Sequence, residues 1–305
     1  MDTVYTGGST GPNKRPLDCW RTLIRIVFHH DQGTNKKMNP KEIQVHADNL
    51  TFKYSSEIIA LQNIFLKIIA GERVALIGHN GSGKTTLARH LNGLLYPFSG
   101  KLWIQGIDSS TQRVSQLAKK VALLFQNPDD QICKRVVRDE VAFGPRNLGY
   151  PKEKTDRLVN WALSDFDLLP FQRTNPHDLG LSERKRVAMA SILSMDTPII
   201  VFDEPTAGLD PYEIRLFITT LQRLKDRGKT VLIITHDMDF VAENIPRTIC
   251  LQNGKKVFDG SSRELFSNHE LLSSCRLLPP QVVRLSIHFQ QTTTAMTPEE
   301  FIDGF

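Results

Sequence analysis

Cysteine is scarce in this chain of 305 residues: Cys19, Cys133, Cys250 and Cys275 stand far apart, with no Cys-x-x-Cys pair. That spacing argues against a zinc site or a disulfide scaffold and fits a reducing cytosol. Long apolar runs are missing as well. A bilayer-spanning helix needs roughly 18–20 apolar residues, and no such stretch occurs. The best early candidate, 19–28, is interrupted by Arg21 and Arg25. No small-residue cleavage site follows it, so it does not make a signal peptide either. Internal repeats and heptad runs are also absent. Charge of one sign is only slightly in excess, at +5. That suits an anionic ligand or an anionic membrane surface and is too weak to argue for nucleic acid. The remaining composition, 40% hydrophobic and 23% charged, is that of an ordinary globular protein. The length suffices for one large α/β domain with an appendage, or for two modest domains. If the chain works on a membrane, it works from the side.

Residues 1–37 are rich in Gly, Thr, Pro and basic residues, and are expected to form a flexible extension. Met38 is then a second candidate start. From 43 to 258 the pattern is dense. Residues 43–47 and 50–54 alternate as half-buried antiparallel strands do. Continuous apolar runs at 121–125, 199–202 and 231–234 predict strands of a parallel sheet buried on both faces. Helix-like stretches at 152–165, 183–195 and 211–227 lie between them. In the tail, 282–289 reads equally as strand or helix.

One string narrows the chemistry. Gly78-His79-Asn80-Gly81-Ser82-Gly83-Lys84-Thr85 follows an apolar run and precedes a helix-compatible one that starts at Thr86. Glycines let the backbone curl so that successive N–H groups form a nest for polyphosphate oxygens. The next helix adds its positive N-terminal end. Lys84 would reach the β- and γ-phosphates and the Thr85 hydroxyl would ligate Mg²⁺. A phosphate loop among alternating strands and helices predicts a P-loop α/β core. The mostly helical region 131–195 then reads as a helical subdomain inserted into that core.

Two strand ends add to it. The run at 199–202 ends in Asp203 and Glu204; the first would hold Mg²⁺ and the second polarise a water. The run at 231–234 leads to His236, at the C-terminal strand end where α/β ligands bind. Asp210-Pro211-Tyr212-Glu213 has the form of a capped helix start.

Together these motifs resemble the nucleotide-binding domain of ABC transport ATPases over roughly 43–260. The resemblance implies that Tyr54 stacks on adenine, that Gly78–Thr85 is the Walker A loop, and that Gln126 is the Q-loop glutamine touching Mg²⁺ and the attacking water. It implies Mg²⁺ held by Thr85, Gln126 and Asp203, Glu204 as catalytic glutamate, Asp210 in the D-loop, and His236 as the γ-phosphate switch. The fold it implies is a P-loop ABC ATPase with an antiparallel β subdomain and a helical subdomain at about 127–195. The domain would span 38–260, with a tail at 261–305.

The family signature, Leu-Ser-Gly-Gly-Gln, serves the nucleotide of a second subunit. It aligns here with Leu179-Gly180-Leu181-Ser182-Glu183 and departs from the pattern. Gly180 lacks the phosphate-gripping hydroxyl, worth about 1.5–3 kcal/mol, or roughly ten- to a hundredfold. Ser182 is expected to cap the following helix, and the Glu183 carboxylate would repel phosphate. Weaker hydrolysis is expected at whichever site this loop completes.

The stretches 125–132, 139–149, 278–285 and 296–301 look like the energy-coupling factor (ECF) branch of that family. That resemblance implies an importer of a vitamin or transition-metal ion. Asp129 and Asp130 would receive arginines of a transmembrane T component, and a substrate-binding S component would choose the cargo. A second ATPase subunit, like or unlike, would complete the dimer at the cytoplasmic face of the cell membrane. Two other readings stay open: a soluble ABC ATPase without transport, and a nucleotide-binding regulatory module with little turnover.

Overall fold

In this computed structural model the described residues are 42–55, 58–291 and 294–304. The expected extension at 1–37 and the alternative start at Met38 lie outside them. A four-stranded antiparallel sheet opens the described chain, in the order β2-β1-β4-β5. Its strands are β1 (Ile43–Lys53), β2 (Ile59–Ile69), β4 (Ser99–Ile104) and β5 (Ile107–Asp108). The two strands expected at 43–47 and 50–54 are one. Register steps from Ala47↔Leu66 to Leu50↔Ile64, so β1 absorbs one extra residue as a bulge. Asn49, at φ 53°, sits in that bulge.

The second sheet has six strands in the order β10-β9-β3-β8-β7-β6. β3 (Arg73–Ile77), β6 (Val121–Leu124), β7 (Ile199–Asp203), β8 (Thr230–Ile234) and β9 (Arg247–Gln252) run parallel, and β10 (Lys255–Ser261) is antiparallel to β9. Strand side chains alternate between two cores, which is why the apolar runs are continuous. Ile200, Phe202, Val231 and Ile233 enter one core, while Ile199, Val201, Leu232 and Ile234 enter the other. The second core fills the space between the two sheets and takes Leu87, Ala88 and Leu91 from α1 (Lys84–Leu91).

Helices fill the connections. α2 (Val137–Asn147), α3 (Lys152–Asp165) and α4 (Leu181–Leu193) lie between β6 and β7, which makes 131–195 helical as expected. α5 (Pro211–Asp226) joins β7 to β8, and α6 (Met238–Asn244) joins β8 to β9. Beyond β10 come α7 (Ser262–Ser267), α8 (His269–Ser274), α9 (Gln281–His288) and α10 (Pro298–Asp303). The stretch that periodicity left open at 282–289 is therefore helical. Phe266, Leu272, Cys275, Val283 and Met296 from this region join the first core. Among the described residues no helix is long and apolar enough to cross a membrane.

Candidate nucleotide site

β3 is flanked by β8 and β9, and the loop leaving its C-terminal end is Gly78–Gly83. Two glycines there answer to space as well as to φ. Gly78 (φ 145°) faces the Leu251 carbonyl so closely that any Cβ would overlap it. At Gly83 (φ 104°) a Cβ would lie 2.6 Å from the Ala60 oxygen. The curl therefore packs directly on β9 and β2. Ser82 N donates to the His79 oxygen at 3.1 Å, and Gly254 N donates to the Ser82 oxygen at 3.1 Å.

Lys84 Nζ reaches back over the loop and donates to the carbonyls of Gly78 (2.8 Å) and His79 (3.0 Å). Burial pulls its pKa below the usual lysine value, while Glu204 and Asp203 work in the opposite direction. Thr85 Oγ1 donates to Asp203 Oδ2 at 2.9 Å. Burial pushes the Asp203 carboxyl up, and the Thr85 hydroxyl partly offsets this. A hydroxyl, a carboxylate and the Gln126 amide face one cleft of about 410 Å³ with Asn80–Thr86, Tyr54 and Glu204. Hard oxygen donors of this kind suit Mg²⁺. No group of three or more His, Cys, Asp or Glu that could hold a metal occurs among the described residues, so these side chains would supply only part of a Mg²⁺ shell, the rest being water or phosphate oxygens.

Tyr54 stands 53% exposed at the outer end of this cleft, with its hydroxyl 3.2 Å from Thr86 Oγ1. At the inner end, Glu204 follows β7 with its N–H bonded to Ile234 O at 2.8 Å. Its φ of 52° is unusual for a residue with a side chain. His236 Nδ1 lies 2.9 Å from Glu204 Oε2. The pair is close but not aligned as a hydrogen bond, so Oε2 is buried without a hydrogen-bond partner. A second cavity of about 400 Å³ shares Asn80, Gln126 and Glu204 with the cleft and has His236 on its wall. Arg276, at φ 56°, brings the C-terminal region to that wall, which no motif had indicated.

Leu179–Glu183 and Asp210 line neither cavity. Asp210 caps α5 as expected: its carboxylate accepts from Glu213 N at 2.8 Å, and Glu213 answers from Asp210 N at 3.0 Å. The expectation for Ser182 is corrected. α4 begins at Leu181, so its N-cap is Gly180 and Ser182 is the second helical residue. Glycine in extended geometry fills the cap without a side-chain bond. Glu183 folds back so far that a Cβ on Gly180 would overlap its Oε2. It thereby places negative charge at the helix N-terminus. Asp129 lies 3.4 Å from Arg184, and Asp130 lines a groove of about 340 Å³ beside Gln126. Sequence reasoning missed Lys185, a buried cation whose Nζ donates to the carbonyls of Glu204 and Ala207 at 2.6 Å each. It also missed that the buried Cys250 and Cys275 thiols adjoin each other across the C-terminal region.

A phosphate loop, a strand-end acidic pair and a strand-end histidine, joined to an antiparallel sheet and an inserted helical layer, define an ABC ATPase cassette. The ABC transporter family pattern matches residues 61–207. The energy-coupling factor transporter ATP-binding protein of Methanocaldococcus jannaschii is 40% identical over 243 residues, covering 79% of this chain and 87% of that one. Two further relatives, both provisionally described as ABC transporter ATP-binding proteins, are longer. That of Methanosarcina acetivorans is 41% identical over 90% of this chain, and that of Caldanaerobacter subterraneus is 39% identical over 82%. The chain spans about half the length of these two, 48% and 44%. Among solved structures, cbiO1 of Clostridium perfringens, part of the transporter complex cbiONQ, superposes with TM-score 0.69 at 29% identity, covering 82% of this chain and 99% of that one. The cassette MJ0796, a dimer with ADP and phosphate bound, gives TM-score 0.65 at 29% identity over 72% and 99%. The chain belongs to the ABC transporter ATP-binding family, in its energy-coupling factor branch.

Proposed function

We propose that this chain hydrolyses ATP to power an ECF importer of a vitamin or transition-metal ion, from the cytoplasmic face of the membrane. Two ATPase chains close head to tail on two nucleotides. A transmembrane T component receives the motion and an S component selects the cargo. The observation that carries this reading is the groove holding Asp130. It shares Thr85, Gln126 and Asp203 with the nucleotide cleft, so a helix seated in it moves with the groups that meet the nucleotide. Asp129 and Asp130 would meet basic residues of that helix, with Asp129 exchanging its contact to Arg184. The helical layer at about 127–195 would turn with the groove.

Within the cleft, Tyr54 offers its ring to the adenine, and the N–H groups of Gly78–Thr86 hold the phosphates. Lys84 leaves two carbonyls for the β- and γ-phosphate oxygens, and its desolvated charge acts strongly there. Thr85, Gln126 and Asp203 would hold Mg²⁺, which neutralises phosphate charge when bound. Glu204 orients the attacking water with its carboxylate, and His236, whose Nδ1 lies 2.9 Å from Glu204 Oε2, reaches the γ-phosphate. The loop Leu179–Glu183 and Asp210 turn toward the partner's nucleotide.

Replacing Glu204 by Gln should lower ATP turnover of the purified chain by about 10²–10⁴-fold while ATP still binds. Membrane proteins should co-purify with both forms. Retained turnover in the variant would remove Glu204 from its role, and absence of membrane partners would remove the importer. The irregular loop at Gly180 and Glu183 favours a second reading, a binding module with little turnover. An unchanged, negligible rate in both forms, even with the membrane partners present, would select it.

A further inference from the structure

We propose that Lys185 is a positioning residue that ties the helix behind the trans-acting loop to the catalytic carboxylate of its own chain. It makes the state of one nucleotide site felt at the other. Lys185 sits in the second turn of α4, two residues beyond Glu183, and is 5% exposed. A buried ammonium normally faces a carboxylate, since its charge is otherwise uncompensated. This one feels the charges of Glu204 and Asp203 but has no carboxylate within ion-pair distance among the described residues. It spends its donors on two backbone carbonyls instead, Glu204 O and Ala207 O, both at 2.6 Å.

Those carbonyls bracket the turn that sets the Glu204 side chain. Glu204 is in left-handed geometry at φ 52°, which a side-chain-bearing residue keeps only when its surroundings hold it. Ala207 begins the segment that ends in Asp210. The neighbouring Arg186 makes a second link: its Nε lies 3.0 Å from Glu213 Oε1, and Glu213 closes the capping box on Asp210. Helix α4, the Glu204 turn and the start of α5 are thus bolted together by adjacent residues. Resting on the reading that Leu179–Glu183 closes over the partner's nucleotide, a shift of α4 on that closure moves Glu204 in the first site.

The test uses this chain of 305 residues with Mg-ATP, in four forms: wild type, Lys185→Met, Glu204→Gln and the double variant. Lys185→Met should lower kcat at least about tenfold, with KM for ATP within about threefold, because only positioning is lost. Lys185→Arg, which keeps a cationic donor, should recover most of the rate. In the Glu204→Gln background the Met substitution should change the residual single-turnover rate by less than about twofold, since both act through one group. An equal loss in both backgrounds would overturn the proposal, as would an unchanged kcat. Loss of ATP binding and melting temperature together, without recovery by Arg, would also overturn it and leave Lys185 a folding residue. If Glu204→Gln itself hydrolyses at the wild-type rate, the site reading fails rather than the Lys185 link.

Discussion

At the residue scale, two of the four departures in Leu179–Glu183, those at Gly180 and Glu183, turn out to be one. The Glu183 carboxylate occupies the space that a serine Cβ at position 180 would take, so the glycine and the glutamate fit each other. Arg186 Nη2, 3.7 Å from Glu183 Oε1, steadies the carboxylate there. A serine at 180 therefore requires only that a flexible carboxylate swing away. If the loop serves a partner's phosphate, Gly180→Ser alone gains a hydroxyl but keeps the repelling charge. Combining it with Glu183→Gln should raise turnover of the dimer roughly tenfold, the value of one hydrogen bond to a charged group. Steady-state phosphate release measures this, and a double variant no faster than wild type would contradict it.

At the scale of elements, the strands were the most legible. A run such as 199–202 is apolar on both faces, and the only place that accommodates this is the middle of a covered parallel sheet. Helix α3 was read to its ends, because Pro151 precedes it and its period is regular. α4 starts two residues before the stretch its sequence suggests, since its N-cap is a glycine that offers no capping side chain. The bulge in β1 makes one strand look like two in the sequence, because a single extra residue reverses the alternation by which a strand is recognised. Asp210 illustrates a cap that sequence and structure agree on. Asp210→Ala should cost about 1 kcal/mol in denaturant unfolding, and Asp210→Asn much less. Equal losses would show that charge rather than capping matters at this helix start.

At the scale of the molecule, the region after 261 is part of the core. Phe266, Leu272 and Cys275 are each at most 1% exposed, and Val283 is fully buried. Deleting 262–305 uncovers that surface, and each such side chain contributes about 1.5–3 kcal/mol when fully buried. The truncated chain should melt many degrees lower or fail to stay in solution, as followed by circular dichroism. A truncated form with unchanged melting would show that this region is merely laid on the surface.

The sequence by itself determined the nucleotide loop, the acidic pair, the strand-end histidine and the buried parallel sheet. Each of these is written in local spacing and composition, which fold geometry reads within a few residues. The tertiary structure alone decided what meets across long separations. It set Lys185 on the carbonyls of Glu204 and Ala207, Arg276 on the wall of the cavity beside Glu204 and His236, and Cys275 beside Cys250. A buried lysine and a surface lysine are spelled alike. Only the packing of α4 against the end of β7 removes the water that distinguishes them.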